Sequence, residues 1–302
     1  MRNLKDFFLL TIKGMGMGAS DVVPGVSGGT IAFITGIYEE LVDSIKSING
    51  KAIKLLFSFK IKDFWQHING WFLLSVFAGV LISVFSLAKV LEYLLLNHAI
   101  LIWSFFFGLV IASAIIILLG IKNWNFNTVV AAVTGTGIAF YITSVSPSQT
   151  SEEYWFILLS GALAICAMIL PGISGSFILL LLGKYQFILN AVNELKIAVL
   201  AVFMAGALGG IIGFSNILSW LLKKYHNFTI ALLAGFMIGS LNKIWPWKII
   251  LSTYTDSHGV EHALTEKNVL PQINGESEFL PAILLALFGS LLIVALTRLA
   301  TK

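Results

Sequence analysis

Charge is what this chain has least of. Asp, Glu, Lys and Arg make up 11% of its 302 residues, against about 25% in an ordinary soluble domain. Mean hydropathy is +0.92. So few charges cannot solvate a soluble globule of this length, and the chain reads as a polytopic membrane protein. Cysteine is nearly missing too. Cys166 stands alone in an apolar stretch, which excludes an internal disulfide and reads as core packing. No Walker loop, dinucleotide fingerprint or nucleophile–base set occurs. That argues against ATP-driven transport by this chain alone and against an enzyme, and no cofactor or metal is expected. His258-Gly-Val-Glu261-His262 matches a zinc pattern formally, but it falls in a polar loop rather than on a helix. The net charge of +4 is no nucleic-acid signal; what counts is where the lysines lie. Met1 to Ala19 superficially resembles a signal peptide. Lys13 and the glycines at 14, 16 and 18 interrupt its apolar run, so it reads as mature protein.

What is present is a repeated polar turn. Pro24-Gly-Val-Ser-Gly-Gly29 returns as Pro171-Gly-Ile-Ser-Gly-Ser176, an offset of 147, and Gly36 and Tyr38 pair with Gly183 and Tyr185 at the same offset. A second block aligns at an offset of 127: Gly79 with Gly206, Gly108 with Gly235, Ser113 with Ser240. The shift between offsets fits an extra Lys-rich loop at 46–69 in the first half.

Each half then has one plan. Short apolar segments flank the turn (hairpins 6–45 and 153–192), and Pro and Gly break the helix between them. Spans follow at about 70–92, 97–121 and 125–145, and again at about 197–222, 228–249 and 279–299. The expected fold is an all-α polytopic inverted repeat, 1–147 and 148–302, each half a re-entrant helical hairpin plus three transmembrane helices. A hairpin that makes no net crossing, followed by three helices, turns the second half upside down. Such repeats place binding sites at mid-membrane. Lysine placement agrees. With both termini cytoplasmic, Lys46, Lys51, Lys54, Lys60, Lys62, Lys122, Lys223 and Lys224 fall inside, and the 250–277 loop falls outside.

The turns carry the candidate chemistry. Ser27 and Ser174 can cap outgoing half-helices whose first amides are unpaired, and a helix N-terminus attracts anions. Two such ends at mid-depth would form a neutral cradle for an anionic head group. The alternative is a pair of capped helix breaks packed together without a ligand. Asp21 is the deepest acid, and Met168 stands at its repeat position. An intramembrane carboxylate is a functional candidate, here for a coupling proton or cation; the alternative is a structural cap. Glu39 keeps a polar partner, Gln186, in the other half, while Glu40 could simply be solvated. Lys13 could face an inner vestibule. Lys184 could attract an anion from outside or snorkel to the interface. Lys89 and Glu92 are spaced to pair on one helix face, and Ser113 and Ser240 fit close helix packing.

The run Gly18-Ala-Ser-Asp-Val-Val-Pro-Gly-Val-Ser-Gly-Gly-Thr30, with Gly36-Ile-Tyr-Glu39 and the second turn at Leu170–Ser176, resembles the bacterial polyprenyl-phosphate (undecaprenyl phosphate) translocase family. The resemblance covers essentially the whole chain. It implies a bacterial cytoplasmic-membrane flippase that returns undecaprenyl phosphate for cell-wall synthesis. It also implies that Asp21, Pro24, Gly25, Ser27, Gly28, Gly29 and Thr30, with Pro171, Gly172, Ser174, Gly175 and Ser176, belong to the functional centre. The competing readings are a small-ion or solute channel or transporter built on paired re-entrant loops, and a membrane enzyme such as a lipid phosphatase.

Overall fold

The computed structural model describes residues 2–23, 26–148, 150–255, 261–271 and 278–300. Pro24, Gly25 and His258 lie outside them. The first half contains α1 (Leu4–Val22), α2 (Gly28–Ile34), α3 (Tyr38–Lys46), α4 (Gly50–Phe57), α5 (Ile61–His67), α6 (Gly70–Asn97), α7 (Ala99–Gly120) and α8 (Phe126–Ser144). The second contains α9 (Tyr154–Ile169), α10 (Gly175–Leu181), α11 (Tyr185–Asn193), α12 (Ile197–Lys224), α13 (His226–Ser240), β1 (Lys248–Thr255), β2 (Glu261–Asn268) and α14 (Phe279–Ala300).

Five of these helices are long and apolar enough to cross a membrane, or six if the bent pair α10–α11 counts as one span. Their outer faces are apolar: Phe85 is 83% exposed, and Phe77, Phe140, Ile217 and Phe288 also point outward. Exposed aromatics on that scale belong against lipid. The chain is therefore a multi-pass, helical membrane protein.

The described residues are mainly helical, as expected, with one addition: β1 and β2 pair antiparallel. One expectation is corrected. The span expected at 228–249 ends at Ser240. Pro246 lacks the N–H that would continue the helix, and the β-branched and aromatic residues after it (Ile249, Ile250, Thr253, Tyr254, Thr255) suit a strand. Apolarity alone had merged these two elements. The loop at 46–69 also carries structure, as the short helices α4 and α5.

Several helices of the two signature-bearing stretches recur with equal length. α2 and α10 have 7 residues each, α3 and α11 have 9, and α6 and α12 have 28. Gly36 (φ 72°) and Gly183 (φ 62°) make the same left-handed turn ahead of α3 and α11. Packing repeats as well. A methyl on Gly14 would strike the Val76 carbonyl, and one on Gly161 the Phe203 carbonyl. Gly108 lies on the Ala286 carbonyl, and its counterpart Gly235 on that of Ala132. These close approaches seal α1 on α6, α9 on α12, α7 on α14 and α13 on α8.

Helix directions follow from the ends. The starts of α8 and α13 line one cavity of about 590 Å³, with Asn125, Thr128, Tyr225 and His226 on its wall. The starts of α7 and α14 meet through His98 and Glu278, 3.9 Å apart. Only a short turn joins α7 to α8, so α7 ends where α13 begins, and the two helices run in opposite directions.

The largest apolar core surrounds the first signature. Val23, Val26, Ile31, Ile34 and Tyr38 pack with Phe72, Val76, Phe106, Val110 and with Ile169, Leu218, Leu233 and Met237 of the second half.

Candidate functional site

The two signature turns touch each other. Ser27 caps α2 by accepting from the Gly29 N–H at 3.1 Å, while its own hydroxyl donates to the Met168 carbonyl at 3.1 Å. The Gly172 N–H donates to Thr30 Oγ1 at 2.9 Å, and the Tyr38 hydroxyl donates to the Ile169 carbonyl at 3.2 Å. Gly29 lies so close to the Ile169 carbonyl that a Cβ would meet it at 2.6 Å. Gly172, at φ 94°, needs the left-handed region that glycine tolerates. Ser27 and Thr30 are fully buried. Their hydroxyls bond the facing half, so these residues act as the joint between the signatures.

The ligand-sized space lies beside that joint. A cavity of about 510 Å³ is lined by Asp21 and Ser176, by Leu95, Leu96 and Trp103, and by Phe177, Tyr185, Lys243 and Glu266. Asp21 Oδ1 accepts the Gly28 N–H at 2.7 Å, holding the last turn of α1 to the first of α2 across the break. Opposite, Ser174 caps α10 by accepting from the Phe177 N–H at 3.3 Å, with Ser176 Oγ 3.3 Å from Ser174 Oγ. Part of the cavity's lining is thus polar and signature-built, and much of its wall is apolar. Such a shape suits an amphiphile with a small charged head and a long hydrocarbon tail.

The other charged candidates lie elsewhere. Lys13 donates to the Thr35 carbonyl at 2.7 Å, closing the C-terminal end of α2. Lys184 is buried and donates to the Thr150 carbonyl at 2.8 Å, near the rings of Phe156 and Phe187. Glu39 is exposed and lies 3.5 Å from His226, while Glu40 pairs with Arg2 at 2.5 Å. Cys166 is partly buried, with its sulfur 3.6 Å from the Gly210 carbonyl.

Sequence reasoning missed a lysine pair beside the cavity, of which Lys243 lines it. Lys243 and Lys248 both reach Glu266 Oε2, at 2.8 and 3.3 Å. Burial pushes the Lys248 amine down to about 8, although Glu266 beside it pulls it back up. Burial raises the Glu266 carboxyl, but Lys248 and Lys243 outweigh that and hold it below its usual range. The available signal was Lys243 itself, an ionisable residue within an apolar run and hence a site candidate. Folding 228–249 into one span concealed it.

Comparison with known proteins is consistent with this geometry. No solved structure gives a significant match. A curated protein of Vibrio cholerae, named polyprenyl-phosphate transporter, is 44% identical over 96% of both chains. A Staphylococcus aureus protein of the same name is 36% identical over 72% of this chain and 79% of its own. The family described as undecaprenyl phosphate translocase-like matches residues 17–262, and the chain belongs to that family.

Proposed function

We propose that the protein is a polyprenyl-phosphate flippase of the bacterial cytoplasmic membrane. It carries undecaprenyl phosphate inward for reuse in cell-wall synthesis, driven by an ion gradient, and performs no catalysis. The observation that carries this reading is the cavity whose apolar walls end at Asp21 and Ser176. A bare phosphate crossing hydrocarbon must shed its water at great cost, and a polar recess within the protein lowers that barrier. The apolar lining fits a prenyl tail better than the wet path of a small-ion channel.

Alternating access follows from an inverted repeat of two re-entrant hairpins, with both termini cytoplasmic. Support comes from the opposite directions of α7 and α13, from the 107° bend between α10 and α11, and from lysines gathered at the α8 and α13 starts. In this reading the cavity faces outward. The inner side is closed where α3 meets α12: Asp43 accepts from the Ser219 hydroxyl at 2.6 Å and pairs with Lys223 at 2.7 Å. Asp21 exchanges the coupling ion as the site changes face. The Ser27–Thr30 and Pro171–Ser176 turns form the phosphate centre, with Ser176 nearest the cavity. The test is uptake of labelled undecaprenyl phosphate by proteoliposomes, with and without a pH gradient. Gradient-dependent uptake that empty liposomes lack is the expected result; uptake no faster than in empty liposomes would sink the proposal.

A further inference from the structure

Two lysines beside the cavity, one of them on its wall, are arranged as an occupied anion site. Lys243 Nζ and Lys248 Nζ converge on a single oxygen, Glu266 Oε2. Aromatic rings hold both ammonium groups in place: Lys248 Nζ sits 4.1 Å from the Trp103 ring centre, and Lys243 Nζ 5.1 Å from that of Phe177. Lys248 also donates to the Lys243 carbonyl at 2.6 Å, which ties the two residues together. Ser174 accepts the Phe177 N–H, so Lys243 rests directly on the second signature helix, while Lys248 rests on α7 through Trp103. Trp103, Phe177, Lys243 and Glu266 all line the cavity that reaches Asp21.

Two lysines face one carboxylate, leaving a local excess of one positive charge in a partly dry site. Glu266 also stands where the strands lose their regular register. The pairing runs Ile250 with Glu266 and then Ser252 with Thr265, so two residues of β1 are spent against one of β2. Bulges of this kind re-aim a side chain and occur beside functional sites.

We infer that Glu266 occupies the place of the substrate's phosphate, and that the arriving lipid head displaces it to bind between Lys243 and Lys248. This rests on the transport reading above. A phosphate monoester carries about −1.5 to −2 charges and three strong acceptor oxygens, where the carboxylate brings one charge and offers one oxygen to both lysines. The lysines keep their aromatic supports when the carboxylate leaves. The exchange selects a phosphorylated prenyl lipid over the neutral alcohol with the same tail. It also gives the outer leaflet a receiving site in front of the signature turns.

The exchange makes two variants of one ion cluster act in opposite directions, which a merely structural cluster would not. Binding of radiolabelled undecaprenyl phosphate to the full chain in nanodiscs is the readout, with undecaprenol as the control lipid. Glu266→Gln should tighten phosphate-lipid binding about tenfold, because the competing anion is gone. Lys243→Gln should weaken it about tenfold, and Lys243→Arg should restore much of the loss. Undecaprenol binding should be the same in all of them. If Lys243→Gln does not fold, Glu266→Gln decides alone. Wild type that binds phosphate lipid, with Glu266→Gln binding no more tightly, overturns the exchange and leaves the transport reading standing. Wild type with no preference for phosphate lipid over undecaprenol overturns both.

Discussion

Helix α3 is fastened to α12, whereas its repeat counterpart α11 shares the wall of an open cavity with α6, the counterpart of α12. At the closed seam Asp43 binds Ser219 and Lys223, and Lys46 donates to Ser219 at 3.2 Å. At the open seam the repeat registers put Asn190 in place of Asp43 and Leu96 in place of Lys223. The α3–α12 and α11–α6 regions therefore differ in their charged contacts. In a pseudo-symmetric transporter, residues that break the symmetry determine which side is shut.

The shared scaffold gives the largest expected effect. Gly108→Val and Gly235→Val each push a branched side chain into a facing carbonyl. Each should cost about 1–3 kcal/mol or more, with similar losses of thermal stability in detergent. A large loss in one and none in the other would break the equivalence of the halves. Next comes Asp21→Asn, which keeps an acceptor for the Gly28 N–H but cannot take up or release a proton. Lipid binding should persist while gradient-driven uptake falls to the level of empty liposomes; unchanged pH dependence of uptake would reduce Asp21 to a helix cap. Glu39→Gln is the control, since the second half has Gln186 there and its contact with His226 is exposed.

Asp43→Asn tests the closed seam alone. Its bridge to Lys223 is largely exposed, contributing under about 1 kcal/mol. The bond from Ser219, whose side chain is buried, is a hydrogen bond to a charged group, of about 1.5–3 kcal/mol. Weakening both should raise maleimide labelling of Leu222→Cys, a buried α12 position, in a Cys166→Ala background. Labelling that does not change would show that the seam is held by apolar packing instead.

The smallest effect concerns pH at the lysine pair beside the cavity. The Lys248 amine lies near 8 in the folded protein against 10.5 ordinarily. Between those values the unfolded chain holds this proton more tightly, so folded stability rises with pH through that window. Melting of wild type should shift upward from pH 8 to 10 relative to Lys248→Met. Phosphate-lipid affinity should fall over the same range, because a cation is lost. Matching pH profiles in both proteins would remove Lys248 from the site.

Much of this was legible in the sequence. Gly79 with Gly206 and Gly108 with Gly235 were visible as repeat pairs because a helix contact that admits no Cβ permits only one residue type. Ser27 and Ser174 were legible as caps, because a broken helix needs an acceptor for its first amides. The joint between the turns was harder to see: that Ser27 and Thr30 bond across to Met168 and Gly172 depends on three-dimensional proximity of segments far apart in the chain. Lys243, Lys248 and Glu266 were least legible. Their meeting depends on a two-stranded hairpin with a bulge, folded from a stretch whose apolar run imitated a span, and nothing in the first half repeats it.

Whether the two seams exchange is tested most directly by spin-label distances in nanodiscs. One label pair spans the closed seam, Glu39→Cys with Lys224→Cys; the other spans the open one, Asn190→Cys with Asn97→Cys, both in a Cys166→Ala background. Adding undecaprenyl phosphate under a pH gradient should lengthen the first distance and shorten the second in the same fraction of molecules. Distances that stay fixed at both seams while the labelled protein still transports lipid would contradict alternating access.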